Sequence, residues 1–223
     1  ISPRVASLPI RPRACSNMRL IVHGGLHKTG TSSVHQMLVH NRALLKQEFR
    51  LILPPDIRAA TEAARAYSIA QDPIELGLFT YELANLFSTM DHGDPRPTLI
   101  CAEDLAGHMQ GRHNDTLYAS APELMGTFVT TAIECIPAAQ IEFYFSTRAV
   151  PAWIKSCYAQ HLRASRMCDT LEIYQARMLP HTEFATLMIK LRTAVAPWSV
   201  STALLEDTST RALGPLAPLL DVM

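Results

Sequence analysis

The residues best suited to bind an anion lie near the start of the chain, at positions 24–33, which read GGLHKTGTSS. Backbone N–H groups of a glycine-containing turn that leads into a helix form a cradle for an anion. Gly30 allows a ligand to approach the backbone closely, and Lys28 adds a positive charge. Four hydroxyl side chains add hydrogen-bond donors: Thr29, Thr31, Ser32 and Ser33. This composition fits a phosphate group, and the alternative is a tight strand-to-helix turn that binds nothing.

The position of the lysine separates this turn from the Walker A motif, G-x-x-x-x-G-K-[ST]. Gly25 and Gly30 have the required separation, but Thr31 stands where that motif has its lysine. Lys28 instead precedes the second glycine by two residues, so the hydroxyl that would bind magnesium is displaced too. The spacing therefore argues against an ordinary ATPase or GTPase.

The segment HKTGTSS resembles the 5′-phosphosulfate loop of the sulfotransferases that use 3′-phosphoadenylyl sulfate (PAPS), in the form typical of the bacterial and carbohydrate-type branches. A second signature of that family is an arginine at the end of a strand, followed eight residues later by a serine on the next helix. Arg148 and Ser156 have this separation. The resemblance spans roughly residues 19–205, and the C-terminal Arg-Lys-Gly segment of the cytosolic enzymes is not found here.

The resemblance implies that PAPS is the cosubstrate and that its product, adenosine 3′,5′-bisphosphate (PAP), is released. It also implies the residues that bind the nucleotide: His27, Lys28, Thr29, Gly30, Thr31, Ser32 and Ser33 at the 5′ end, with Arg148 and Ser156 on the 3′-phosphate. An arginine offers a planar fork of donors that matches phosphate oxygens. Because the 3′-phosphate distinguishes PAPS from ATP, a dedicated arginine and serine are chemically reasonable. A strand-end arginine and a solvent-facing serine are the alternative interpretation.

Two residues are the candidates for catalysis. Lys28 would stabilise the leaving 5′-phosphate, and Glu103 would be the general base that accepts the proton of the acceptor. Glu103 is the first ionisable residue after the predicted strand 98–102, with Asp104 and His108 as second and third choices. Glu103 could instead be a carboxylate facing a helix dipole or pairing with an arginine. This chemistry requires no metal.

Short apolar runs alternate with amphipathic segments along the chain and predict the architecture. We expect strands at 19–23, 49–53, 98–102, 141–146 and 199–205, separated by helices. This alternation indicates a three-layer α/β/α domain with a mostly parallel central sheet. The resemblance implies a P-loop NTPase-like fold with the strand order of the P-loop kinases. We expect one domain at 18–223, a natural start at Met18, and a disordered leader or expression remnant at 1–17.

Composition narrows the possible partners and location. The 223 residues include 20 basic and 20 acidic side chains, without the basic excess of a general nucleic-acid or anionic-membrane binder. The five cysteines contain no C-x-x-C pair, so the chain predicts neither a disulfide framework nor a zinc ribbon. No stretch approaches the ~20 apolar residues of a membrane span. We therefore expect a cytoplasmic protein.

Together these observations predict a sulfotransferase that moves a sulfuryl group from PAPS to a hydroxyl, less readily an amine, of a carbohydrate, lipid or small-molecule acceptor. Residues 54–95 and 106–120 are expected to shape the acceptor pocket, because loops on a fixed scaffold usually carry specificity. Two alternatives stay open. One is a P-loop kinase of small molecules that uses ATP and magnesium, and the other is a nucleotide-binding relative without activity.

Overall fold

The computed structural model describes residues 18–223, apart from residues 112, 114 and 165. The predicted leader at 1–17 lies outside the described residues. Five strands form one sheet in which every pairing is parallel, in the order β2-β3-β1-β4-β5. The strands are β1 (Arg19–His23), β2 (Arg50–Ile52), β3 (Thr98–Cys101), β4 (Gln140–Thr147) and β5 (Ser199–Leu204). The predicted parallel sheet is confirmed, with the strand order that the resemblance implied.

Helices cover both faces of this sheet. They are α1 (Thr31–His40), α2 (Arg42–Leu45), α3 (Arg58–Ala70), α4 (Pro73–Ser88), α5 (Ala121–Cys135), α6 (Val150–Ala164), α7 (Leu171–Met178), α8 (Phe184–Ala194) and α9 (Ala217–Val222). Short 3₁₀ turns connect several of them: Pro54–Ile57, Glu103–Ala106, Leu179–His181, Leu205–Thr208 and Gly214–Leu216. The predicted α/β/α architecture is therefore confirmed.

Alternate residues of each central strand contribute to two separate cores, because successive side chains of a strand point to opposite faces. Leu20 and Val22 of β1 lie in the larger core, whereas Ile21 lies in the smaller one. A strand buried on both faces must be apolar throughout, which explains the uninterrupted apolar run of β1. Since all five strands are parallel, the loops that follow them meet at one edge of the sheet, which we call the carboxyl rim.

The C-terminal residues complete the smaller core, although their sequence predicted no element there. Leu216 and Leu219 are buried against Val34 and Leu38 of α1. The tail therefore supports the helix that follows the glycine-containing turn. Among the described residues, no helix has both the length and the apolar character needed to cross a membrane.

Leu219→Ala should destabilise the protein by about 2 to 4 kcal/mol, because it leaves a cavity between α9 and α1. Leu219 is fully buried, whereas Leu213 of the same tail is 48% exposed, so Leu213→Ala is the matched control. Urea unfolding followed by circular dichroism measures both variants. Equal stability of the two variants would show that the tail does not belong to the core.

Candidate functional site

The turn between β1 and α1 has an unusual backbone conformation at two residues. Lys28 and Gly30 both have positive φ angles, 67° and 94°. Positive φ is uncommon for a residue with a side chain and is found where surrounding contacts enforce it. A Cβ atom at Gly25 would lie 2.8 Å from Thr31 Cγ2 and 3.2 Å from the Cα of Glu103. The turn is therefore packed directly against Glu103, which follows β3.

Trp153 of helix α6 and Arg148, which directly follows β4, bind carbonyl groups of this turn. Trp153 Nε1 donates to the carbonyl of His27 at 2.7 Å, and Arg148 Nη1 donates to the carbonyl of Lys28 at 3.1 Å. Within the turn, Thr29 Oγ1 donates to the Leu26 carbonyl at 2.6 Å. These hydrogen bonds tie the turn to α6 and to the residue that follows β4.

Helix α1 begins in a way that leaves its positive end open to an anion. Its N-cap is Gly30, which makes no side-chain capping bond, and its first turn contains no acidic residue. The first N–H groups of a helix lack partners within the helix and carry partial positive charge. Ser32 and Ser33 are exposed at this end. The arrangement can bind a phosphate or a sulfate.

The structure turns two of the four hydroxyl side chains of this segment inward. Thr29 is fully buried, and its hydroxyl lies between the Leu26 carbonyl and Ser146 Oγ, 2.9 Å away. Thr31 is also buried. In this arrangement the Thr29 hydroxyl stabilises the turn, and a contact between Thr29 and a ligand stays a prediction.

Arg148 and Ser156 lie on the same side of the sheet edge as this turn. Arg148 directly follows β4, and its guanidinium contacts the turn through the Lys28 carbonyl. Ser156 is half-buried on α6, three residues after Trp153 and four before Gln160. Residues at these spacings share one helix face, so Ser156 lies on the face that contacts the turn. The two predicted anion-binding groups are therefore neighbours at the carboxyl rim.

A polar cavity of about 290 Å³ opens beside Lys28. Its charged lining residues are Lys28, Arg65, Glu103 and Asp104, so the formal charges balance. His27, His108, Gln160 and His161 also line it. The three residues that the sequence ranked as candidate bases, Glu103, Asp104 and His108, therefore share one cavity with the lysine.

Within this cavity, His27 and Asp104 belong to a hydrogen-bond network, in which Tyr118 takes part. The Tyr118 hydroxyl accepts from the His27 backbone N–H at 2.6 Å and lies 2.8 Å from His27 Nδ1. His27 Nε2 lies 3.2 Å from Asp104 Oδ1. Because a carboxylate only accepts, a neutral His27 donates from Nε2 to Asp104 and accepts at Nδ1 from Tyr118. Burial raises the pKa of Tyr118 well above its usual value, so this hydroxyl keeps its proton.

The two carboxylates of the cavity differ in how strongly they are held. Burial alone would raise the pKa of Asp104, but the hydrogen bond from His27 and the charges of His27, Arg65 and His108 outweigh it and lower the pKa. Arg65 Nε lies 3.6 Å from Asp104 Oδ1. Glu103 is held less closely, since its Oε1 atom lies 4.0 Å from His27 Nε2. Glu103 is therefore the less closely paired of the two carboxylates.

Other residues that could carry chemistry have packing roles in the structure. His23 is buried with Nδ1 3.2 Å from Cys101 Sγ, and burial lowers the pKa of His23 to about 4. Cys157 is buried on α6, and burial raises the pKa of its thiol. Across the described part of the chain, no group of three or more histidine, cysteine, aspartate or glutamate side chains is placed to hold a metal ion.

Three residues that shape this site are not among those predicted from the sequence. Trp153 is buried, and its indole N–H binds the turn. Its position between Arg148 and Ser156 was the available signal. Tyr118 and Arg65 lie within residues 106–120 and 54–95, the regions expected to shape the acceptor pocket. Neither had a local signal, because their contacts with His27 and Asp104 span more than 35 residues.

Comparison with solved structures identifies the fold. The chain is similar to a sulfotransferase from Alicyclobacillus acidocaldarius, with 14% sequence identity, a TM-score of 0.52, and coverage of 92% of this chain and 78% of that one. At this identity, the similarity establishes a shared fold. A retinol dehydratase in complex with androsterone and inactive cofactor PAP also matches, with 10% identity over 93% of this chain and 61% of that one. Its TM-score of 0.39 is too low to support any inference. No protein-family model and no curated protein sequence matches the chain.

Tyr118→Phe should lower the free energy of unfolding by about 1 to 3 kcal/mol, because it leaves the His27 N–H and ring nitrogen without their partner. Tyr81→Phe removes the same hydroxyl from a side chain that is 61% exposed and is the matched control. Urea unfolding of both variants tests this. If Tyr118→Phe were as stable as the control, the network would not hold the turn.

Proposed function

We propose that this chain is a PAPS-dependent sulfotransferase. The observation that carries the proposal is the contact between the two anion-binding groups: the Arg148 guanidinium donates to the carbonyl of Lys28. A nucleotide with anionic groups at both its 5′ and 3′ positions can therefore contact both. The sulfotransferase-like fold supports this proposal, and so does the order of the two signatures along the chain.

The residues present fit such a donor. The 5′-phosphosulfate would bind at the turn formed by residues 27–33, where the start of α1 and the Lys28 ammonium supply positive charge. The absence of a side chain at Gly25 allows the turn to pack closely against Thr31 and Glu103. Arg148 and Ser156 would bind the 3′-phosphate, and PAP would be the product. This assignment follows the family resemblance residue by residue.

The proposed reaction requires two functions of this chain: stabilisation of the leaving phosphate and acceptance of a proton. When bound, PAPS supplies the sulfuryl group, whose sulfur forms a bond to the acceptor oxygen as its bond to the 5′-phosphate oxygen breaks. Lys28 would offset the negative charge that develops on the leaving phosphate. Glu103 would accept the proton that the acceptor hydroxyl loses. The lower pKa of Asp104 makes it the weaker base, so we retain Glu103 as the general base.

The acceptor would occupy the polar cavity beside Lys28. Arg65 lies within residues 54–95, and His108 and Met109 lie within 106–120, the two regions expected to shape the acceptor pocket. A hydroxyl group of a carbohydrate, lipid or small molecule remains the proposed target. Cytoplasmic location likewise stays a prediction from the sequence.

Arg148→Ala should weaken PAP binding by about 10- to 100-fold, since a charge-assisted contact with phosphate contributes about 1.5 to 3 kcal/mol. Arg192→Ala, an exposed arginine on α8, removes the same charge away from the site and should leave binding unchanged. Isothermal titration calorimetry measures binding of PAP and, separately, of ATP with magnesium. Stronger binding of ATP with magnesium than of PAP would favour the kinase alternative instead.

Glu103→Gln should reduce kcat by about 10²- to 10⁴-fold, because the variant cannot accept a proton. PAP binding should be preserved, since Glu103 has no proposed contact with the nucleotide. Turnover is followed as PAP release with a panel of hydroxyl acceptors. Asp104→Asn is the comparison variant, and a loss of kcat in Asp104→Asn with retained kcat in Glu103→Gln would transfer the role to Asp104.

A further inference from the structure

Glu206 lies next to Arg148, in the 3₁₀ turn Leu205–Thr208 that follows β5. Because β5 pairs with β4 in parallel, the residues after both strands lie side by side at the carboxyl rim. Glu206 Oε1 lies 3.6 Å from Arg148 Nε, and Glu206 Oε2 accepts from the backbone N–H of Ala149 at 3.1 Å. This carboxylate thus contacts the guanidinium and the residue immediately before α6.

A bound phosphate would accept hydrogen bonds from the same two groups, the Arg148 guanidinium and the Ala149 N–H. The guanidinium of Arg148 and the N–H groups at the start of α6 are anion-binding groups. The Glu206 carboxylate supplies an anion to both, so it occupies part of the position proposed for the 3′-phosphate. The Glu206 and Arg148 side chains are partly exposed, 39% and 27%, although the Arg148 Nε atom that faces Glu206 is itself buried, so a ligand from solvent reaches the outer part of this pair.

The segment that carries Glu206 also contacts the 5′ side of the site. A Cβ atom at Gly30 would lie 2.7 Å from Leu205 Cδ1 and 3.1 Å from Pro215 Cβ. Residues 205–216 therefore lie against the phosphate-binding turn at one point and against Arg148 at another. A ligand that displaces Glu206 acts on a segment that reaches both ends of the proposed nucleotide site.

We propose that Glu206 is an internal competitor for the 3′-phosphate, which must displace its carboxylate from Arg148 in order to bind. This inference rests on the proposed function, because it requires that Arg148 binds that phosphate. Two anions cannot share one guanidinium without repulsion at close range. The carboxylate therefore lowers the affinity for nucleotides that carry a 3′-phosphate and leaves the affinity for other nucleotides unchanged.

The test compares PAP with 5′-AMP, which differ only in the 3′-phosphate. Glu206→Gln should bind PAP about five- to tenfold more tightly than wild type, a gain of about 1 to 1.4 kcal/mol. Binding of 5′-AMP should be unchanged, and the gain for PAP should shrink at high salt. Asp207→Asn is the matched control, since Asp207 is an exposed neighbour and the variant has the same change in net charge. Calorimetry measures all three proteins.

A second variant and a hydrogen-exchange measurement on the wild-type protein make the result independent of the folding of Glu206→Gln. Glu206→Ala removes the hydrogen bond to Ala149 as well as the charge and should also tighten PAP binding. In the wild-type protein, PAP but not 5′-AMP should increase hydrogen exchange in residues 205–208, as the carboxylate leaves Arg148.

Unchanged or weaker PAP binding in both Glu206 variants would overturn the inference and leave the proposed function standing. An equal gain in Asp207→Asn would also overturn it, because the effect would then be one of net charge. If neither wild type nor variants bind PAP, the proposed function fails and the inference fails with it.

Discussion

The site depends on hydrogen bonds that hold the turn at residues 24–30 by its carbonyl groups. Trp153 and Arg148 donate to the carbonyls of His27 and Lys28, respectively, so these oxygens face α6 and the residue that follows β4. An anion-binding turn must present N–H groups while its carbonyls are satisfied elsewhere. The positive φ of Lys28 is the conformational cost of this arrangement, and the hydrogen bonds from Trp153 and Arg148 offset it.

This arrangement gives Arg148 more than one role. Its Nη1 atom supports the turn, while the same guanidinium faces Glu206 and, in the proposed function, the 3′-phosphate. An arginine can do this because its donors are spread over a rigid planar fork. A lysine at this position would offer a single point charge and could not hold the turn and a phosphate in the same geometry. The hydrogen bond from Arg148 to the Lys28 carbonyl therefore links the two ends of the proposed nucleotide site.

Charge is balanced locally as well as over the whole chain. The cavity beside Lys28 contains two cationic and two anionic side chains, and Glu206 offsets Arg148 nearby. Cationic side chains placed close together repel one another, and each neighbouring carboxylate relieves that repulsion. The three carboxylates differ in their contacts. Asp104 and Glu206 each pair with an arginine, whereas Glu103 lies 4.0 Å from His27.

The sequence alone determined the five strands, the parallel sheet and the two short signatures, because apolar runs and fixed spacings are local properties of a chain. It also placed Glu103 at the end of β3, since parallel strands end at one rim. Only the tertiary structure decided what surrounds that rim. Tyr118 and Glu206 reach the site from distant loops, and the tail packs on α1, through contacts whose partners are more than 50 residues apart. The inward rotation of Thr29 has the same origin, because its hydroxyl is satisfied by Ser146 on a neighbouring strand.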